Sequence, residues 1–131
     1  MSSPLMGRHR VPAVLVVDDN ETVRQLARRA LEGEGYQVWE AGDGLQALGW
    51  LTRGVVDLVV TDIRMPAMDG WELAAHLRSM THPPAILFIS GYDAHVGLRN
   101  VPGPVLPKPF TPEQLVTSVR QLLLGPQPQS A

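Results

Sequence analysis

Five side chains carry the chemistry this chain can offer: Asp18, Asp19, Asp62, Ser90 and Lys108. Each closes a short apolar run, so a polar group arrives where a buried strand should end. Isolated carboxylates in such places mostly cap turns. Four apolar runs ending this way point to one crevice, because parallel strands bring their C-terminal ends to one sheet edge. Three carboxylates gathered there repel one another and raise one another's pKa values. A hard divalent cation relieves that repulsion, and an all-oxygen donor set with a short loop suits Mg²⁺. Carboxylates, Mg²⁺, an ammonium and a hydroxyl together meet the needs of phosphoryl transfer. Asp62, central at the end of the third strand, is placed as the nucleophile. Asp18 and Asp19 are placed as metal holders. Of the eleven Lys and Arg residues, Lys108 is the only lysine, which favours a specific need for a compact ammonium there.

The elements that must position these groups follow from the apolar periodicity. Residues 11–17 form a β-branched run suited to a strand buried on both faces. Asn20 is a candidate N-cap for a helix whose inward stripe is Val23, Leu26, Ala27, Ala30 and Leu31, with Arg24, Arg28 and Arg29 outward. Gly33 and Gly35 stop it. Strands are expected at 36–41, 55–61, 85–89 and 104–106, and helices at 45–53, from Asp69 or Gly70 through Leu77, and from Thr111 onward. Thr111-Pro112-Glu113-Gln114 reads as a capping box with proline at the first helical position, followed by an inward stripe of Leu115, Val119, Leu122 and Leu123. Between Ser90 and Lys108 glycine and proline are frequent, so a helix there is confined to 93–100, about two turns. Strand and helix alternate five times with short connections. That predicts an α/β fold with a parallel sheet and helices on both faces.

Composition narrows the function classes. The chain has 131 residues, enough for one modest core, and a net charge of -2, which gives no electrostatic case for nucleic acid or a membrane surface. Cysteine is absent, which removes disulfides and thiolate chemistry and fits a reducing compartment. No apolar run approaches the roughly 18 residues of a membrane span, and the N-terminus lacks a signal-peptide core. A cytoplasmic location is expected. Residues 1–10 read as a loose leader, 11–124 as the domain and 125–131 as a polar tail. His9, His76, His82 and His95 have no metal spacing, and Trp39, Trp50 and Trp71 read as packing or half-exposed residues.

Val14-Leu15-Val16-Val17-Asp18-Asp19-Asn20, Asp62-Ile63-Arg64-Met65-Pro66-Ala67-Met68-Asp69-Gly70, Ser90-Gly91 and Lys108-Pro109-Phe110 together resemble the receiver domain of two-component response regulators. Each motif alone is weak, but four in this order and spacing are specific. The resemblance implies a flavodoxin-like (βα)5 fold with strand order 2-1-3-4-5. It implies that Asp62 is the phosphoacceptor, charged by a histidine kinase or a phosphotransfer protein. Asp19 would bind Mg²⁺ directly, Asp18 mainly through water, and the backbone carbonyl of Arg64 would complete the protein ligands. Ser90 and Lys108 would hold the phosphoryl oxygens, and a cis Lys108–Pro109 peptide is expected. The side chains of Arg64 and Tyr92 fall where the family tunes phosphoryl lifetime. The chain would be mainly a signalling phosphoacceptor with self-phosphorylation and autodephosphorylation chemistry, a kinase activity belonging to it only as part of a hybrid kinase. It would signal through a conformational shift toward an unknown downstream partner.

Two departures from the family pattern stand out. Val105 occupies a position that is often an aromatic switch residue. The segment after Ser90 is short, so the fourth helix, and with it the usual dimer and output face, is expected to be altered; homodimerisation stays open. The region around Lys108 is similar to receivers joined to hybrid histidine kinases, so a stand-alone regulator and a part of such a kinase are both expected sources. Two rivals remain: a pseudo-receiver that binds without being phosphorylated, and a Mg²⁺-dependent aspartyl phosphatase. The latter usually has a second catalytic carboxylate where Arg64 stands. A flavin carrier would want a phosphate loop where Asp18-Asp19 would repel the phosphate.

Overall fold

A computed structural model describes residues 11–65, 68–91 and 103–124. Five strands, β1 (Ala13–Val17), β2 (Gln37–Ala41), β3 (Leu58–Asp62), β4 (Ala85–Ser90) and β5 (Val105–Pro107), pair in parallel in the order β2-β1-β3-β4-β5. Four helices accompany them among the described residues: α1 (Glu21–Gly33), α2 (Gly44–Arg53), α3 (Gly70–Arg78) and α4 (Pro112–Leu124). This is the expected doubly wound α/β arrangement. The short helix expected within 93–100 lies outside the described residues, as do the leader and the tail.

The valine-rich strands pair centrally because both of their faces are covered. Val14 and Val16 turn to one side, where Ala27 and Leu31 of α1 and Leu115 and Val119 of α4 close over them. Leu15 and Val17 turn to the other, against Ala47 of α2 and Leu73 and Leu77 of α3. Each fully buried leucine or isoleucine contributes on the order of 1.5–3 kcal/mol. Phe88, also fully buried, packs with Ile63 and Ala74 beside β5.

The helix starts match the sequence cues. Asn20 accepts from the Val23 N–H at 3.1 Å. Asp69 and Glu72 form a reciprocal capping box at α3. Thr111 and Gln114 do the same at α4, with Oγ1 and Oε1 accepting at 3.1 and 2.9 Å. Three details differ. β1 begins at Ala13 and β3 at Leu58, later than the apolar runs suggest, because Val11 and Val55 are 50% and 63% exposed below the sheet. There Asp57 clamps the entry instead, its carboxylate accepting from the Ala13 N–H at 2.7 Å. β4 runs on to Ser90, and β5 is shifted one residue to Val105–Pro107. Leu26, expected inward, is 42% exposed; the α1 stripe closes on Val23, Ala27, Ala30 and Leu31 without it.

Gly70 shows how tightly the edge at the C-terminal ends of the strands is built. A Cβ there would stand 2.7 Å from the Asp62 carbonyl oxygen and 3.0 Å from Ile63 Cα, and its own N–H bonds Ile63 O at 2.8 Å. α3 can begin this close to the end of β3 only without a side chain. Gly70→Ala is therefore expected to destabilise the fold by about 2 kcal/mol through overpacking, measured by urea unfolding. Gly49→Ala, with nothing within 4 Å of the new methyl in the middle of α2, should stabilise by about 0.5–1 kcal/mol. A neutral Gly70→Ala would contradict the close approach.

Candidate functional site

The sheet order puts β2 on one side of β1 and β3 on the other, so the chain changes direction between β1 and β3. Ligands of open α/β sheets settle at that point, beyond the strands' C-terminal ends. Asp18 and Asp19 follow β1, and Asp62 is the last residue of β3. Ser90 ends β4, and Lys108 follows β5 with its N–H donating to Ser90 O at 2.7 Å. All five sequence candidates thus reach one edge of the sheet.

Side-chain geometry draws the charged members together. Carboxylate oxygens of Asp18, Asp19 and Asp62 lie within 4.8 Å of one another. Lys108 Nζ donates to Asp18 Oδ2 at 3.0 Å and to Asp62 Oδ2 at 3.2 Å. Asp18 is wholly buried, Asp62 is 8% exposed and Asp19 faces solvent. Burial pushes the Asp18 carboxyl above its ordinary value, further than the hydrogen bonds from the Asn20 N–H and Lys108 pull it down. Burial also works against the Lys108 ammonium, but its hydrogen bond and attraction to Asp18, then to Asp62, leave its pKa raised. One ammonium against three carboxylates leaves two negative charges to be balanced. A hard divalent cation with oxygen ligands fits this donor set.

The remaining candidates are placed less directly. Ser90 is buried, and its hydroxyl donates to Gly91 O at 3.0 Å. The Arg64 N–H reaches Asp62 Oδ1 at a long 3.4 Å, and Arg64 is exposed. Tyr92 lies outside the described residues. The Lys108–Pro109 peptide is cis, as expected.

Two residues enter that sequence reading did not single out for the site. Thr61, buried within the β3 valine run, donates its hydroxyl to the Asp62 carbonyl at 2.9 Å. Arg24 was expected outward, but its side chain is only 19% exposed. Its Nη1 donates to the Asp18 carbonyl at 2.7 Å and its Nε to Glu40 Oε1 at 3.1 Å. Helical side chains lean toward the N-terminus of their helix, so a long residue in the first turn of α1 reaches back over the end of β1. A cation at that helix end also opposes the helix dipole, the one signal the sequence held that Arg24 has a partner.

Comparison with known proteins agrees with this geometry. The family model for the response regulator receiver domain matches residues 14–120. The chain is 44% identical over 117 residues to the sensor kinase CckA of Brucella abortus, covering 84% of this chain and 12% of that protein. It is 38% identical over 122 residues to the response regulator MprA of Mycobacterium leprae, covering 90% of this chain and 54% of MprA. The chain thus spans about half, or far less, of these curated relatives. Among solved structures, the receiver domain of the hybrid histidine kinase CckA superposes with a TM-score of 0.72 at 35% identity, covering 85% of this chain and 98% of that one. A response regulator receiver protein from Sinorhizobium medicae gives 0.77 at 32%, covering 88% and 97%. The family match takes in β1 to α4 and every charged group of the crevice, and the chain belongs to the receiver domain family of two-component response regulators.

Proposed function

We propose that this chain is the phosphoacceptor of a two-component phosphorelay, taking a phosphoryl group onto Asp62 from the phosphohistidine of a histidine kinase or phosphotransfer protein. The observation that carries this reading is the convergence of three carboxylates within 4.8 Å, two of them bonded to Lys108. An Asp62 carboxylate oxygen attacks phosphorus, the P–N bond to the donor imidazole breaks, and its electron pair stays on that nitrogen. Lys108 leaves its carboxylate partners in part to hold a phosphoryl oxygen, and Ser90 turns its hydroxyl from Gly91 O toward another. Mg²⁺, held by Asp18, Asp19, Asp62 and the backbone carbonyl of Arg64, would supply the positive charge that offsets the crowded oxygens. The exposed Arg64 side chain, with Tyr92, would set how fast water reaches the phosphoryl group.

A groove of about 390 Å³ runs beside the site between Val23 and Leu26 of α1 and Gly91, Lys108, Pro109 and Phe110. It suits the apolar face of a helix that presents the phosphohistidine. The new phosphoryl contacts of Ser90 and Lys108 would favour one conformational state of the domain over another, which is how the signal would pass to a downstream partner. Similarity to a hybrid kinase receiver and to a response regulator supports both a part of such a kinase and a separate regulator. Among the described residues no helix is long and apolar enough to cross a membrane, in keeping with a cytoplasmic site of action.

Incubation with acetyl phosphate should add the mass of one phosphoryl group, only with Mg²⁺ present and not to Asp62→Asn; equal labelling of Asp62→Asn would overturn the assignment. Lys108 gives a second prediction. Its folded-state pKa is raised above 10.5, so its stabilising contribution is complete below that pH and is lost as pH rises through the raised value. Lys108→Met in EDTA should cost about 2 kcal/mol at pH 7, since it leaves two carboxylates without their shared cation. The gap to wild type in chemical unfolding should then narrow above pH 10.5. A gap that stays constant into strong alkali would show that the ion pairs contribute nothing.

A further inference from the structure

We infer that Arg24 is a positioning residue for the metal pocket, setting the peptide that joins Asp18 to Asp19 and with it the aim of the Asp19 carboxylate. This rests on the proposed reading of the crevice as a Mg²⁺ site. The Asp18 carbonyl that receives Arg24 Nη1 at 2.7 Å belongs to that peptide. Holding that carbonyl fixes ψ of Asp18 and φ of Asp19, the two torsions that decide where the Asp19 Cα–Cβ bond points; without the contact each is free to drift separately. Asp18 itself is tied elsewhere: its N–H bonds Ala41 O at 3.1 Å, and its Oδ1 accepts from the Asn20 N–H at 2.8 Å. Asp19 is the exposed member of the trio, so its aim depends on the backbone beneath it.

The guanidinium is itself held in place. Glu40 of β2 accepts Arg24 Nε at 3.1 Å on Oε1 and Arg28 Nη1 at 2.9 Å on Oε2. Burial works against the Glu40 carboxylate, but hydrogen bonds from Arg28 and Arg24 outweigh it and hold its pKa below the ordinary value. The anchor therefore stays ionised at neutral pH. Arg24 spends one arm on Glu40 and the other on the pocket backbone, a division that a planar fork allows and a lysine does not. Arg28 shares the same Glu40 and also bonds Glu32 at 2.9 Å, with no hydrogen bond to Asp18. That difference separates a positioning role from a mere clip between α1 and β2. Groups that orient metal ligands from behind typically change metal affinity by about 10–100-fold when removed.

The test is calorimetric titration of the full chain with MgCl₂, run beside acetyl phosphate labelling across a range of Mg²⁺. Arg24→Met should raise the Mg²⁺ dissociation constant about tenfold and leave the labelling rate at saturating Mg²⁺ within about threefold, while Arg28→Gln stays within about twofold of wild type. Arg24→Lys, which keeps the charge but not the fork, should fall between Arg24→Met and wild type, and it serves if Arg24→Met does not fold. An unchanged Mg²⁺ constant in the folded Arg24 variant, or an equal loss in Arg28→Gln, overturns the inference. A wild-type chain that takes up no Mg²⁺ defeats the proposed function first, before any variant is compared.

Discussion

Two carboxylates share one ammonium at the C-terminal edge of the sheet, and a third stands within reach of both. The structure around this cluster follows from the need to hold it. Asp18 is fully buried and carries a raised pKa, so its negative charge is held at a cost to the fold. Such a cost persists where a bound cation repays it. The arrangement is an incomplete charge balance, and phosphoryl transfer is chemistry that calls for a cation on one side of the oxygens and an ammonium on the other.

The sheet makes that crowding affordable. Central strands β1 and β3, buried along their whole length, give rigid ends from which Asp18 and Asp62 project. The loops that follow are tied by short contacts: Arg24 and the Asn20 N–H on Asp18, Thr61 on the Asp62 carbonyl, and the Gly70 N–H on Ile63 O. The Ser90 hydroxyl is engaged on Gly91 O and not on a carboxylate. It is thus free to be recruited without breaking the cluster.

Much of this was legible in the chain itself. Strand ends are easy to read where valine runs stop at a carboxylate, so Asp18 and Asp62 declared themselves, as did the caps at Asn20, Asp69 and Thr111. Strand starts were harder. Val11 and Val55 continue the apolar runs but stand exposed, because pairing depends on neighbours that periodicity does not see. Helix faces were read from spacing alone, which put Leu26 inside and Arg24 outside. Leu26 lines a groove, and Arg24 is drawn in by Glu40 sixteen residues away, a long-range pairing no local pattern encodes. Thr61 was hidden because threonine suits a strand as well as valine does.

The most direct test of the central claim is a crystal structure of the chain grown with Mg²⁺ and beryllium fluoride, a tetrahedral mimic of the phosphoryl group. Density bonded to an Asp62 oxygen, with Lys108 and Ser90 on its fluorides and a cation against Asp19, is the predicted result. A fluoride adduct elsewhere, or an Asp62 that stays bonded to Lys108 with Mg²⁺ absent from the pocket, would contradict it.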